Sequence, residues 1–460
     1  MGSSSSKERL FGTDGVRGIP GRYPLLPENV RSIAAIAARL LLERDAAKFN
    51  GGGPFVLLGR DTRGSGPELA KQLVAGFADA GCRTIDLGVI PTPGLSYLTP
   101  KLGALCGVVI SASHNPAEFN GIKFFDAAGY KMATGMEDRI ERELESVRGT
   151  AKRSQAAAVD GSAHVDSYLD FLRSTFPATA DLSGLKLVVD CAHGASSGLA
   201  KRLFEGLGAQ VTALSCQPNG KNINLACGAL FPGAMQKAVV QKKADAGVCF
   251  DGDADRAIFS DEKGALLDGD SLICFSALRL RRLGLLRNDK VVLTVMSNFG
   301  LVRALEKQGI SVVSVPVGDR NVSDAIERED LSIGGAASGH VIFRRYAATG
   351  DGMLTALQTL AALRESGGKL SEIRRAFSPI PQVLENLEVR ERVPLDGLPG
   401  LKQLIDKLEK ELRGEGRIFL RYSGTEPLLR VMIEGPSLSR VKAMAKEISE
   451  AYRRESGQTA

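Results

Sequence analysis

Apolar residues recur along the chain in two rhythms, short β-rich runs and stretches spaced for one face of a helix, and the two alternate from residue 29 onward. A helix-like stretch at 29–43 precedes a strand at 54–58, a helix at 68–80, a strand at 84–87 and the apolar run 104–110. Strands separated by helices predict βαβ units around a mainly parallel sheet. A charged helix at 136–147 ends near Gly149, and the polar, Ala-rich stretch 150–161 reads as a linker with a boundary near residue 157.

The pattern then restarts twice. Strand 185–190, a Gly/Ser turn at 194–198, helix 199–206 and strands 210–214 and 246–250 make a second unit. Helix 271–283, strand 290–295, helix 300–308 and strand 311–316 make a third. After the Pro-rich 377–381 the texture changes to a strand, an amphipathic helix at 401–412, strands at 417–422 and 428–434, and a final helix. The predicted class is α/β, with three similar α/β domains at 1–157, 158–262 and 263–376 and a smaller α+β domain at 377–460.

Composition narrows the setting. At 460 residues the chain exceeds a single hydrophobic core, and 43% hydrophobic with 24% charged residues excludes disorder as its main state. The net charge of +6 is spread along the chain, which gives no footprint for nucleic acid but suits an anionic metabolite. The seven cysteines show no zinc spacing and read as reduced thiols. With no apolar stretch near 18 residues and no signal-peptide core, the expectation is a cytoplasmic protein with no membrane contact. Residues 1–6 fit the myristoylation pattern formally, but a serine run before a domain reads as a loose tail.

Several loops carry chemistry. Ser111-Ala112-Ser113-His114-Asn115-Pro116 follows a buried strand, where α/β sheets bind ligands, and offers a hydroxyl as nucleophile or phosphate acceptor, with Lys123 downstream; by itself it is also ordinary turn chemistry. Asp251-Gly252-Asp253-Ala254-Asp255-Arg256 sets carboxylates at alternate positions of a tight loop, a donor set for a hard cation such as Mg²⁺. It is not an EF-hand, because Arg256 occupies the obligatory Gly position and a strand precedes the loop. Gly194-Ala195-Ser196-Ser197-Gly198 matches a serine-hydrolase elbow, but the short pattern arises easily by chance and a helix start packed on its sheet is the better reading. Arg421-Tyr422-Ser423-Gly424-Thr425-Glu426-Pro427, with Arg430 beyond it, offers guanidinium, hydroxyl and amide donors for a phosphate. Phe11 to Gly18 is another Gly-rich loop, carrying Arg17.

In order along the chain, FGTDGVRG, SASHNP, GIKFF, DGDADR, VGDR, SGH, TGDG and RYSGTEP continuing into LLRVMIEG resemble the α-D-phosphohexomutase family over nearly the whole length. The resemblance implies four domains around a central cleft. It implies that Ser113 becomes a phosphoserine and that one of its oxygens joins Asp251, Asp253 and Asp255 around Mg²⁺. Arg17, His114, Lys123 and Arg256 would sit beside the reaction, with Lys123 as general acid or base. Arg320, Ser338 and His340 would meet the sugar, and Arg421, Ser423, Gly424, Thr425 and Arg430 would grip the phosphate that is not being transferred.

The implied reaction interconverts glucosamine 6-phosphate and glucosamine 1-phosphate, supplying UDP-N-acetylglucosamine and cell-wall synthesis, with mannose or glucose phosphates as alternative substrates. A sugar 1,6-bisphosphate would be both intermediate and activator, and the resemblance also implies a homodimer. Two loops depart from the family pattern. The sugar-reading loop, usually GE-x-SGH, here has Ala336, and 229–231 are Ala-Leu-Phe where polar residues are usual. An unpaired sugar hydroxyl in a desolvated site costs about 1–3 kcal/mol, so weakened binding or turnover is expected. The competing reading is a phosphosugar-binding protein without efficient turnover.

Overall fold

The computed structural model describes residues 9–12, 14–45, 53–146, 156–423 and 427–458, so part of the linker at 150–161 lies outside the described residues. The chain divides into two compact units, Met1–Met296 with Ser311–Ala376, and Ser297–Ile310 with Phe377–Ala460.

The first unit holds three sheets. The first is built from β1 (Val16–Gly18), α1 (Pro27–Asp45), β2 (Phe55–Arg60), α2 (Gly66–Asp79), β3 (Arg83–Val89), α3 (Thr92–Leu102), β4 (Cys106–Ile110), β5 (Asn120–Phe125), α4 (Thr134–Ser146) and β6 (Val159–Asp160), in strand order β1-β5-β4-β2-β3-β6. α1 buries Val30, Ile33, Ala37, Leu40 and Leu41, a single helical face, against α2, whose Leu69, Leu73 and Phe77 are buried in the same core. β2 and β4 are apolar runs buried on both faces, as parallel strands between helix layers must be.

The second sheet follows α5 (Val165–Ser174) and comprises β7 (Lys186–Asp190), α6 (Ala200–Glu205), β8 (Gln210–Leu214), α7 (Gly233–Lys242), β9 (Ala246–Phe250), β10 (Ala257–Asp261) and β11 (Leu266–Leu267). Its order is β11-β10-β9-β7-β8. The third is entered by α8 (Gly269–Arg282), whose N-cap Asp268 accepts from the Ser271 amide, and its first strand is β12 (Lys290–Thr294). The chain then passes through α9 (Phe299–Lys307) before β13 (Ser311–Val315), α10 (Asp319–Arg328), β14 (Ile333–Gly335), β15 (Val341–Phe343), α11 (Gly352–Ser366) and α12 (Leu370–Ile373) complete the unit, with sheet order β13-β12-β14-β15.

One arrangement recurs in all three sheets. A strand paired in parallel with its inner neighbour (β4, β9, β14) runs into a short loop and returns as an antiparallel partner (β5, β10, β15). The loops at 111–119, 251–256 and 336–340 therefore leave the carboxyl ends of equivalent strands, where α/β sheets hold ligands.

The second unit contains α9 and the elements β16 (Gln382–Glu388), α13 (Pro399–Leu412), β17 (Arg417–Tyr422), β18 (Leu428–Glu434) and α14 (Leu438–Ser456), with antiparallel order β16-β18-β17. α14 buries Val441, Met444, Ala445, Ile448 and Tyr452 against this sheet. Helix 300–308, which the sequence reading places in the third α/β domain, is hydrogen-bonded through 297–299 to the C-terminal elements. The Phe299 amide donates to Glu434 Oε1 at 3.1 Å, Asn298 Oδ1 accepts from the Ile380 amide at 3.0 Å, and Arg417 donates to the Ser297 carbonyl at 2.5 Å.

α3 carries Pro93, Gly94 and Pro100, which are poor helix formers, and α11 is buried on nearly every face and shows no amphipathic stripe, so local periodicity marks neither helix. Among the described residues no helix is long and apolar enough to cross a membrane.

Candidate active site

The first loop presents Ser113. Ser111 Oγ donates to Asp61 at 2.6 Å and accepts from the Ser113 amide at 2.8 Å, which curls the backbone so that Ser113 sits at φ +50°. Its hydroxyl, 1% exposed as a residue, donates to Asp251 Oδ2 at 2.7 Å, and His114 Nδ1 lies 3.4 Å away.

The second loop is packed against the first so closely that a Cβ on Gly252 would come within 2.5 Å of the Ser113 carbonyl oxygen. The Thr92 and Gly352 amides pin the carbonyls of Asp253 and Ala254. The loop gathers Asp251, Asp253 and Asp255, each offering an oxygen within 4.8 Å of the others, and all three side chains are buried. Asp253 Oδ1 and Asp255 Oδ1 are buried without a hydrogen-bond partner. Burial, and then Asp255 and Asp253, push Asp251 well above the usual carboxylate range, so the cluster is short of positive charge. An all-oxygen set with orphaned carboxylate atoms fits a hard divalent cation.

Cations close the other side. Lys123 on β5, 2% exposed, spans Asp14 and Asp253 at 2.8 Å each. Burial alone would lower its pKa, but Asp14, Asp253 and Asp255 overcome this and hold it as an ammonium. Arg17 on β1 is paired with Asp14, and Arg256 lies 3.7 Å from Asp255 and 4.0 Å from Asp251; the Nε of each arginine is a buried donor without a hydrogen-bond partner. Burial, reinforced by Arg256 and Arg17, lowers His114 to about 4, so its imidazole is neutral at neutral pH. Sequence reasoning missed Asp14, Lys131 and Asp319, although Asp14 and Asp319 lie inside quoted motifs. Lys131 joins Asp14 at 2.6 Å to Asp319 at 3.3 Å, and only packing marks it.

The third loop places its residues differently from one another. Ser338 is exposed at the turn, whereas His340 is buried, at 1% exposure. His340 Nε2 accepts from the Gly350 amide at 3.2 Å, so its proton sits on Nδ1 and faces Asp255 at 3.6 Å and Asp319 at 3.8 Å. That tautomer removes Nδ1 as a metal ligand, although Asp255, Asp319 and His340 cluster. Arg320 is also engaged: it chelates Glu137 at 2.8 and 2.9 Å and donates to Thr134 and the Met132 carbonyl, strapping α10 to α4. Ser196, of the hydrolase-like elbow, is fully buried, and among the described residues no His, Asp or Glu bonds its hydroxyl to act as a base.

In the second unit, Arg421 and Arg430 face each other across β17 and β18. Like charges directly opposite destabilise a sheet, and burial followed by Arg430 pulls the Arg421 pKa down. Arg421 Nε is a buried donor without a partner, so a bound anion would relieve both strains. The Ser423 amide donates to the Leu428 carbonyl at 2.8 Å. Gly424 and Thr425 lie outside the described residues.

Profiles of known families match this chain at four places, described as phosphoglucomutase/phosphomannomutase alpha/beta/alpha domains I (8–150), II (166–264) and III (268–379) and the C-terminal domain (384–451). The chain belongs to the phosphoglucomutase/phosphomannomutase family. Its fold is that family's three α/β domains with a smaller C-terminal domain. Among curated relatives, the phosphoglucosamine mutase of Thermoanaerobacter sp. (strain X514) is 44% identical over 97% of this chain and 99% of its own length. That of Chlamydia trachomatis serovar A is 42% identical, over 98% of each chain.

Two solved family structures agree in fold. A phosphoglucomutase/phosphomannomutase family protein from Burkholderia thailandensis has a TM-score of 0.79 at 22% identity, over 98% of each chain. The N-acetylphosphoglucosamine mutase of Aspergillus fumigatus, in complex with GlcNAc-6P and magnesium, has a TM-score of 0.67 at 19% identity, over 99% of this chain and 97% of that one.

Proposed function

We propose that this family member is a phosphoglucosamine mutase, interconverting glucosamine 6-phosphate and glucosamine 1-phosphate through a phosphoserine at Ser113. The observation that carries the reading is the Ser113 hydroxyl, aimed at a buried carboxylate cluster and flanked by Lys123 and by the unsatisfied Nε donors of Arg17 and Arg256. A buried hydroxyl beside N–H donors left without partners is arranged for a group that brings its own negative oxygens. The full-length relatives that are named phosphoglucosamine mutase support the choice of sugar.

Phosphorylation of Ser113 by a sugar bisphosphate forms the Oγ–P bond as one sugar O–P bond breaks, and the proton leaving Ser113 ends on the released sugar oxygen. Transfer back to the other sugar hydroxyl reverses these changes. Arg17 and Arg256 orient the transferring oxygens, Lys123 holds charge against them and can donate a proton as its ammonium, and neutral His114 can accept one. Asp251, Asp253 and Asp255 would hold Mg²⁺ beside a phosphoserine oxygen, and that ion would supply further positive charge to the phosphoryl group. Ser338 meets the sugar, and His340 lies beside Asp255 and Asp319, at 3.6 and 3.8 Å. Arg421, Ser423, Gly424, Thr425 and Arg430 bind the phosphate that is not reacting.

A coupled assay with glucosamine 6-phosphate, primed with glucose 1,6-bisphosphate, should give glucosamine 1-phosphate, and peptide mass spectrometry should find exchangeable phosphate on Ser113. A folded, primed protein with neither result would be a phosphosugar-binding protein, the reading that Ala336 and the apolar 229–231 loop favour.

A further inference from the structure

Arg63, which the motifs did not include, is the most heavily engaged side chain near Ser113. It is fully enclosed, and all five of its N–H donors are used. Nε bonds Asp61 at 2.9 Å, Nη1 donates to the carbonyls of Pro116 and Phe119, and Nη2 donates to those of Ser113 at 2.9 Å and Asn115 at 2.8 Å. One guanidinium thus collects four backbone carbonyls from a single loop. From the loop between β8 and α7, Asn224 Nδ2 donates to the same Ser113 and Asn115 carbonyls, at 2.9 and 3.0 Å.

These bonds hold a conformation that serine avoids. At φ +50° the Ser113 backbone is in the left-handed region, which a β-carbon disfavours. A free loop would relax to negative φ and swing Oγ away from Asp251. We propose that Arg63 and Asn224 are positioning residues for phosphoryl transfer: by clamping the Ser113 carbonyl from two domains, they lock the left-handed turn that aims the hydroxyl at the acidic loop. This rests on Ser113 being the phosphoryl carrier. It also makes the nucleophile's aim depend on the docking of the second domain, since Asn224 belongs to that domain.

The test compares wild type with Arg63→Lys, which keeps a charge beside Asp61 but loses the fork, and with Asn224→Gly, which removes the amide at a residue whose φ of +59° suits glycine. Intact-mass spectrometry follows phosphate arriving on Ser113 from glucose 1,6-bisphosphate, alongside kcat, KM and melting temperature. The expected slowing of phosphorylation and kcat is about tenfold for Asn224→Gly and about 100-fold for Arg63→Lys, with KM for glucosamine 6-phosphate unchanged within about twofold. A merely structural role would lower the folded fraction and leave the rate per folded molecule intact. If Arg63→Lys does not fold, Asn224→Gly decides alone. A folded variant that is phosphorylated at the wild-type rate overturns the proposal, whereas a wild type that takes no phosphate overturns the phosphoserine reading beneath it.

Discussion

Replacing Asp251 by Asn separates the cost of the acidic loop from its use. One oxygen from each of the buried Asp251, Asp253 and Asp255 lies within 4.8 Å of the other two. At an effective dielectric of about 20, two unit charges at that distance repel by roughly 3.5 kcal/mol. Asp251 faces two such neighbours, about 7 kcal/mol of repulsion, and Arg256 at 4.0 Å offsets about 4 kcal/mol of it. The residual strain of about 3 kcal/mol has the sign of the raised Asp251 pKa.

In EDTA, Asp251→Asn is therefore more stable than wild type, by about 2 kcal/mol once a weaker bond from Ser113 is allowed for. Mg²⁺ reverses the order: at a hundred times its dissociation constant it stabilises wild type by about 2.7 kcal/mol, and the variant lacks a ligand. Mutase turnover falls by about 100-fold or more. Denaturant unfolding at neutral pH, with EDTA and with Mg²⁺, and the coupled assay read both effects. A variant less stable than wild type in EDTA, or stabilised equally by Mg²⁺, refutes the reasoning.

Three further outcomes are expected. Asp351, raised to about 6 by burial, caps α11 and accepts from the Tyr168 hydroxyl. Because its folded pKa lies above its unfolded one, its stabilising contribution is present below the unfolded pKa and is lost as pH rises through the folded value. Between about pH 4 and pH 7 the stability difference should move toward Asp351→Asn by about 2.4 kcal/mol, and parallel denaturant midpoints for the two proteins would contradict this. A double-mutant cycle of Arg320→Ala and Glu137→Ala should give a coupling of about 2 kcal/mol, and a value below about 0.5 kcal/mol would show the strap to be inert. Ala336→Glu should raise kcat/KM for glucosamine 6-phosphate by about 5- to 160-fold if a sugar hydroxyl goes unpaired at this loop, and no gain would place the sugar's partners elsewhere.

Much of the architecture was legible because its signals are local. Apolar periodicity placed β2, β4, β7, β9, β12 and β13 to within a few residues. The alternate aspartates after β9 and the hydroxyls after β4 mark the carboxyl ends of strands by themselves. β5 was not read as a strand, and its antiparallel return is what carries Lys123 to Asp253.

The sequence alone determined the domain order, the family and the loops that carry chemistry, since strand runs, turn residues and spaced carboxylates are written in neighbouring residues. Only the tertiary structure decided which side chains are free to act. It engages Arg320 with Glu137 and His340 with Gly350, leaves the Nε donors of Arg17 and Arg256 unspent, and recruits Arg63 to the Ser113 loop. A side chain's availability depends on partners far away in sequence, 183 residues away for Arg320 and Glu137, and packing alone brings such partners together.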